Sequence, residues 1–268
     1  MDPSTLGVAL GAAIGLVMAL TGAGGGVLAI PLLVFGLHLS LQQASPVGLL
    51  AVGLAAAVGA AIGLYQGKVR YRAAALIGAV GMLVAPIGVW LAHQLPNRPL
   101  LGAFALVLTY TAWRMLKRPT VATALPEAVL CRVNKADQRL IWTLPCARAL
   151  AGTGVIAGLL SGLLGVGGGF VIVPALARYT DLEIRSIQVT SLAVIALVSL
   201  SGVSAAALHS PVPWAVALPF ASGAVMALLA GQQVARRLDA RRLQQAFAWF
   251  CLLVALLMLA RALGWVAN

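Results

Sequence analysis

The sequence predicts an all-α integral membrane protein made of two inverted-topology repeats, each a glycine-broken re-entrant hairpin plus three transmembrane helices. Three observations point there. From Pro3 to Gly67, and again from Ser186 to Ala235, there is no Asp, Glu, Lys or Arg. A soluble surface needs ionised groups, whereas a charge at mid-bilayer costs roughly 2.5–3.5 kcal/mol or more. The chain is 62% hydrophobic and 9% charged, with a mean hydropathy of +1.01, and a soluble domain is about a quarter charged. Lastly, Gly22-Ala-Gly-Gly-Gly26 followed by Pro31 returns as Gly165-Val-Gly-Gly-Gly169 followed by Pro174, at an offset of 143.

The same offset joins Gly15 to Gly158, Val69 to Val212, Tyr71 to Trp214, Gly88 to Gly231 and Ala103-Phe104 to Ala246-Phe247. Between the glycine run and Val69 the register slips by one, pairing Val47 with Val189 and Leu50 with Leu192. Self-similarity of this extent marks a duplicated unit. The organisation is a first membrane repeat at 1–116, a polar connector at 117–148 and a second membrane repeat at 149–268.

Each repeat contains four apolar stretches: about 6–37, 41–66, 73–95 and 99–116, then about 149–177, 186–208, 212–235 and 243–263. The breaks carry turn chemistry, as in Asn97-Arg98-Pro99 and His209-Ser-Pro-Val-Pro213. Most stretches suit one crossing of a ~30 Å core, which takes about 20 residues. The leading stretch of each repeat does not. As one straight helix, residues 6–37 would run about 48 Å, with the glycine run at its middle where helix propensity is lowest.

Basic residues decide between a broken crossing and a hairpin. With eight crossings the 18 Lys and Arg split 11 against 7. With two hairpins and six crossings, all but Arg98 and Arg261 share one face. The positive-inside rule favours the second arrangement and makes the connector cytoplasmic, with both termini outside. Three crossings per repeat, an odd number, turn the second repeat upside down. The first apolar segment, lacking a basic leader and a clear cleavage site, is expected to stay in the mature protein.

An inverted repeat brings the two glycine runs toward the midplane from opposite faces. Helices restarting near Val27 and Phe170 would aim unsatisfied N–H groups at the centre, with about half a positive charge each. All six acidic residues (Asp2, Glu127, Asp137, Asp181, Glu183, Asp239) lie outside the expected crossings. A cation carrier buries a carboxylate; amides and hydroxyls suit a small anion. The candidate substrate-binding residues are Thr21, Gly24, Gly25, Gly26, Gly167, Gly168, Gly169, Thr190 and Ser191, with Gln43, Ser45, Ser161 and Gln188 ranked lower. Thr190-Ser191 corresponds to Gly48-Leu49, so the halves are chemically unequal there.

The remaining residues carry less. His38, His93 and His209 fall at outer-face breaks and read as interfacial. Cys131 and Cys146 are 15 apart, with no histidine or second pair at metal-ligand spacing. Neither a disulfide framework nor a zinc site is expected, and no metal or cofactor. The net charge of +12 sits in short clusters between apolar spans, which excludes a nucleic-acid patch. No nucleophile–base pair or metal motif suits an intramembrane enzyme.

Thr21-Gly-Ala-Gly-Gly-Gly-Val-Leu-Ala-Ile-Pro31, Leu164-Gly-Val-Gly-Gly-Gly-Phe-Val-Ile-Val-Pro174 and Val189-Thr-Ser-Leu192 resemble the TauE/SafE sulfite exporter family, also called the toluene sulfonate uptake permeases. The resemblance covers nearly the whole chain. It implies a bacterial or archaeal inner-membrane carrier of sulfite, organosulfonates or related sulfur anions, with duplicated, inverted halves and about eight annotated membrane segments. The expected partners are a small anionic substrate and the lipid bilayer. Proton coupling would run through the anion itself, water or a histidine.

Overall fold

The computed structural model describes residues 3–22, 25–37, 39–117, 130–131, 133–134, 139–140, 142–209, 212–234 and 240–262. The helices among them are α1 (Pro3–Thr21), α2 (Gly25–Gly36), α3 (Leu41–Tyr65), α4 (Tyr71–Gln94) and α5 (Asn97–Lys117), then α6 (Leu144–Leu164), α7 (Gly169–Tyr179), α8 (Ile184–His209), α9 (Trp214–Val234) and α10 (Ala240–Ala262). In the connector, β1 (Val133–Asn134) pairs antiparallel with β2 (Arg139–Leu140). Helices satisfy their own backbone groups, which lipid cannot do.

Each leading stretch divides at its glycines into a long arm and a short one. Gly22 (φ 77°) and Gly165 (φ 70°) end the long arms in the left-handed region, and Gly165 N–H closes α6 on Ser161 O at 2.8 Å. At about 28 and 32 Å, α1 and α6 are near the bilayer core in length, while α2 and α7 are about 18 and 16 Å. Helix starts follow local chemistry. Ser40 caps α3 in a reciprocal pair with Gln43, both bonds 3.3 Å. Thr143 caps α6 by accepting Cys146 N–H at 3.3 Å. With Pro145 in its first turn, α6 begins inside the span read as connector.

The connector holds one correction. Cys131 and Cys146 are disulfide-bonded, with Cα atoms 5.2 Å apart, where no bridge was expected. Spacing carries no trace of it. Cys131 N–H donates to Tyr179 O at 2.9 Å, which pins the connector against the end of α7 and beside the first turn of α6.

Packing crosses between the halves at the duplication offset. A side chain at Gly11 would meet the Phe220 backbone, and one at Gly154 would meet that of Ile77; Gly15 faces Ala224, and Gly158 faces Gly81. Each contact recurs 143 residues away in its counterpart. Rising numbers match rising numbers, so α1 runs parallel to α9 and α6 parallel to α4. Small residues at these crossings let the backbones close. By contrast α3 and α8 are antiparallel: Gly53 meets Ser199, Gly59 meets Leu192 and Gly63 meets Val189. Helices α5 and α10 pack on one another.

Chain sense within each leading segment follows. Gly25 approaches Ile14 and Met18, and Gly36 approaches Leu10, so α2 runs back along α1. Gly168 likewise sits on Ala157 of α6. Among the described residues, six helices are long and apolar enough to cross a membrane: α1, α3, α4, α6, α8 and α9. The apolar parts of α5 and α10, 99–113 and 248–260, are shorter. The long arms therefore match crossing helices in length, although each is followed by a short helix turning back.

Candidate functional site

The glycine turns overshoot the centre of the bundle, and the short arms bring the chain back to it. Gly22 lies against Gln188 near the start of α8, and Gly165 against Ser45 near the start of α3, again 143 residues apart in both members. Past these turns the two hairpins meet. A side chain at Gly26 would strike Val166 O of the opposite hairpin and come within 3.3 Å of Val52 Cγ1. One at Gly167 (φ 77°) would lie 3.1 Å from Val52 Cγ1, 3.1 Å from Ile195 Cγ2 and 3.3 Å from Ser199 Oγ. Val52 and Ile195 stand near the middles of α3 and α8, so this meeting point is central.

The glycines divide by role. Gly25 and Gly168 face their own long arms, where an added Cβ would be 2.6 Å from Ile14 O and 2.6 Å from Ala157 O respectively. They close the hairpins. Gly26 faces the other hairpin and α3, and Gly167 faces α3 and α8. Gly169 opens α7 behind an N-cap, Gly168, that has no side-chain bond. Its amide and that of Phe170 have no acceptor within the helix. Gly24 lies outside the described residues.

Most of the expected hydroxyls turn out to serve the backbone. Thr21 Oγ1 donates to Val17 O at 2.8 Å. Thr190 Oγ1 accepts Arg70 N–H at 3.0 Å, tying the α3–α4 turn to α8. Ser191 Oγ donates to Gln188 O at 2.7 Å and reaches Gly22 O at 3.3 Å, which steadies the first glycine turn. Gln43 is spent on capping α3. Thr190 and Ser191 are thus joined to the first hairpin's surroundings rather than to the point where the hairpins meet. His93 lines a small cavity of about 10 Å³ with Gln42, Ser45 and Gly162. His38 lies outside the described residues, and His209 ends α8.

Ser199 escaped the sequence reading. It is 1% exposed and Ser161 is 0% exposed, and among the described residues neither hydroxyl has a partner. The available signal was a serine at the middle of the charge-free span 186–208. Ser191, Ser201 and Ser204 share that span but donate to backbone carbonyls, and sequence does not separate them from Ser199. Among the described residues, no group of three or more His, Cys, Asp or Glu comes together.

The family model for sulfite exporter TauE/SafE matches residues 7–258. The chain belongs to the TauE/SafE sulfite exporter family. Two similar proteins are each named "Probable membrane transporter protein", from Xylella fastidiosa strains Temecula1 / ATCC 700964 and 9a5c. Each is 27% identical, over 260 and 257 residues, covering 94% of this chain and 93% of the relative. No solved structure matches. Membership of TauE/SafE, with six helices able to span a bilayer, makes this a multi-pass membrane transporter.

Proposed function

We propose that this TauE/SafE protein is a secondary transporter, not an enzyme, that moves a small sulfur-containing anion such as sulfite or an organosulfonate across the cytoplasmic membrane. The observation that carries the reading is the meeting of Gly26 with Val166 between the antiparallel helices α3 and α8. Two hairpins entering from opposite sides and touching at the centre is the arrangement of carriers whose sites form where broken helices end. Contacts repeated at a 143-residue offset, with α3 antiparallel to its counterpart α8, support an inverted repeat.

Charge supports an anion. The acidic residues described, Asp181 and Glu183, fall between α7 and α8, outside both helices. The first-turn amides of α2 and α7 supply donors without a buried cation. In the packed arrangement the described glycines of both turns are buried, which suits an occluded state. Alternating access would part the two repeats at the Gly26–Val166 contact, first on one side and then on the other. The basic residues favour a cytoplasmic connector.

The test is uptake of radiolabelled sulfite and of an alkyl sulfonate by proteoliposomes holding only this protein. Saturable uptake, with exchange against internal unlabelled anion, is expected. Absence of transport with folded protein would instead favour a non-transporting subunit.

A further inference from the structure

We infer that the anion site is one-sided: it belongs to the second hairpin, where the hydroxyls of Ser161 and Ser199 join the first-turn amides of α7 around a single oxyanion. This rests on the carrier reading above and names which half of the centre does the binding. The two hairpins are equivalent in backbone but not in filling. Gly25 is packed by the Met18 side chain as well as by Ile14 O. The residue 143 positions after Met18 is Ser161. It lies one turn beyond Ala157, on the α6 face that Gly168 packs against. Where the first hairpin carries a methionine plug, the second carries a small polar side chain.

That side chain is buried at 0% exposure with no hydrogen-bond partner among the described residues, and Ser199, 1% exposed, is in the same condition. Ser199 Oγ lies 3.3 Å from the point where a Cβ on Gly167 would stand, so it faces the second glycine turn directly. A buried hydroxyl left without a partner is destabilising, and buried polar groups are almost always satisfied. Ser199 faces Gly167, and Ser161 shares the α6 face that Gly168 packs against; with the first-turn amides of α7, which have no acceptor within the helix, they form a set rich in donors. An oxyanion with several acceptor oxygens completes it. The uncapped α7 N-terminus adds favourable charge. In the first hairpin the matching place is filled by the Met18 side chain against Gly25.

The experiment measures binding of sulfite and ethanesulfonate to the purified full-length protein by calorimetry, with melting temperature recorded without anion. The variants are Ser199→Ala, Ser161→Met and Met18→Ser. The inference expects the first two to weaken affinity by about tenfold or more and Met18→Ser to leave it within about twofold. It also expects Ser199→Ala to keep or raise the melting temperature without anion, because a hydroxyl with no partner has been removed. If wild-type protein binds and Ser199→Ala and Ser161→Met bind equally well, the one-sided site is wrong while the carrier reading stands. Affinity and anion-free stability falling together in Ser199→Ala would make the serine structural and overturn the assignment. Loss of binding in Met18→Ser to the same degree would restore a symmetric site. If wild-type protein binds neither anion, both readings fall.

Discussion

At the scale of single residues, the two hairpins depend on four glycines that do different work, and substitution separates them. An alanine at Gly25 places its Cβ 2.6 Å from Ile14 O, and one at Gly168 places it 2.6 Å from Ala157 O. Both obstacles are backbone, so the hairpin itself must open. Overpacking of this kind costs about 1–3 kcal/mol. Gly168 carries the further strain of a non-glycine residue at φ 70°. Gly168→Ala should therefore lower the melting temperature more than Gly25→Ala, and both should lower it measurably. Gly102 and Gly152 are the controls, because a Cβ there would meet nothing within 4 Å. In those helices alanine should be neutral or gain about 0.5–1 kcal/mol. A thermal-denaturation series on the four variants checks the order. Equal effects at all four positions would mean that the glycines matter only through helix propensity.

Between elements, the distinctive feature is that each long arm packs chiefly on the opposite repeat. Gly7 on α1 would place a Cβ 3.5 Å from Pro219 Cβ on α9, within the Cβ–Cβ range of a disulfide. In a background with Cys131, Cys146 and Cys251 replaced by alanine, Gly7→Cys with Pro219→Cys should cross-link on mild oxidation. Failure of that bond, with Gly48→Cys and Ala29→Cys (Cβ positions 3.5 Å apart) cross-linking as a control for α3 against α2, would mean that α1 packs elsewhere. This partner exchange also marks the limit of what the sequence revealed. The offset of 143 identifies which residues are equivalent, and the glycine run at mid-stretch shows where helix α1 must break. Both are visible because they depend on composition along the chain. Which copy a long arm packs against depends on contacts across the chain, and self-similarity is silent on that. The same limit explains the site. Thr190 and Ser191 stood out as a polar pair, but their hydroxyls were within reach of Arg70 N–H and Gly22 O. Ser199 is one serine among several in α8, and only its unsatisfied burial beside Gly167 distinguishes it.

For the whole molecule the open choice is orientation, and two observations pull in opposite directions. Disulfides persist in oxidising compartments, so the bond between Cys131 and Cys146, taken alone, would put the connector outside the cell. Yet with two hairpins and six crossings, only Arg98 and Arg261 of the 18 Lys and Arg would fall on the other face. The charge bias is a sum over many residues in short loops, each favouring cytoplasmic retention. A cysteine pair held close can remain a dithiol in the cytosol and close only when oxidised, because its state follows the redox poise around it. The charges outweigh the bridge, so the connector is expected inside, with Cys131 and Cys146 reduced in growing cells. Single cysteines in a background without the native three test this. Gln66 and Glu183 are exposed on the connector face, and Gln94 on the other. In intact spheroplasts, a membrane-impermeant maleimide should label Gln94→Cys and spare Gln66→Cys and Glu183→Cys until the membrane is opened. Labelling of Glu183→Cys from outside, with Gln94→Cys protected, would reverse the molecule and make the Cys131–Cys146 bridge a constitutive extracytoplasmic bond. Labelling of Gln66→Cys and Glu183→Cys on opposite sides would be more damaging. Residues 66 and 183 share a face only if α6 and α7 return to the side they left, so that result would remove the second hairpin from the fold.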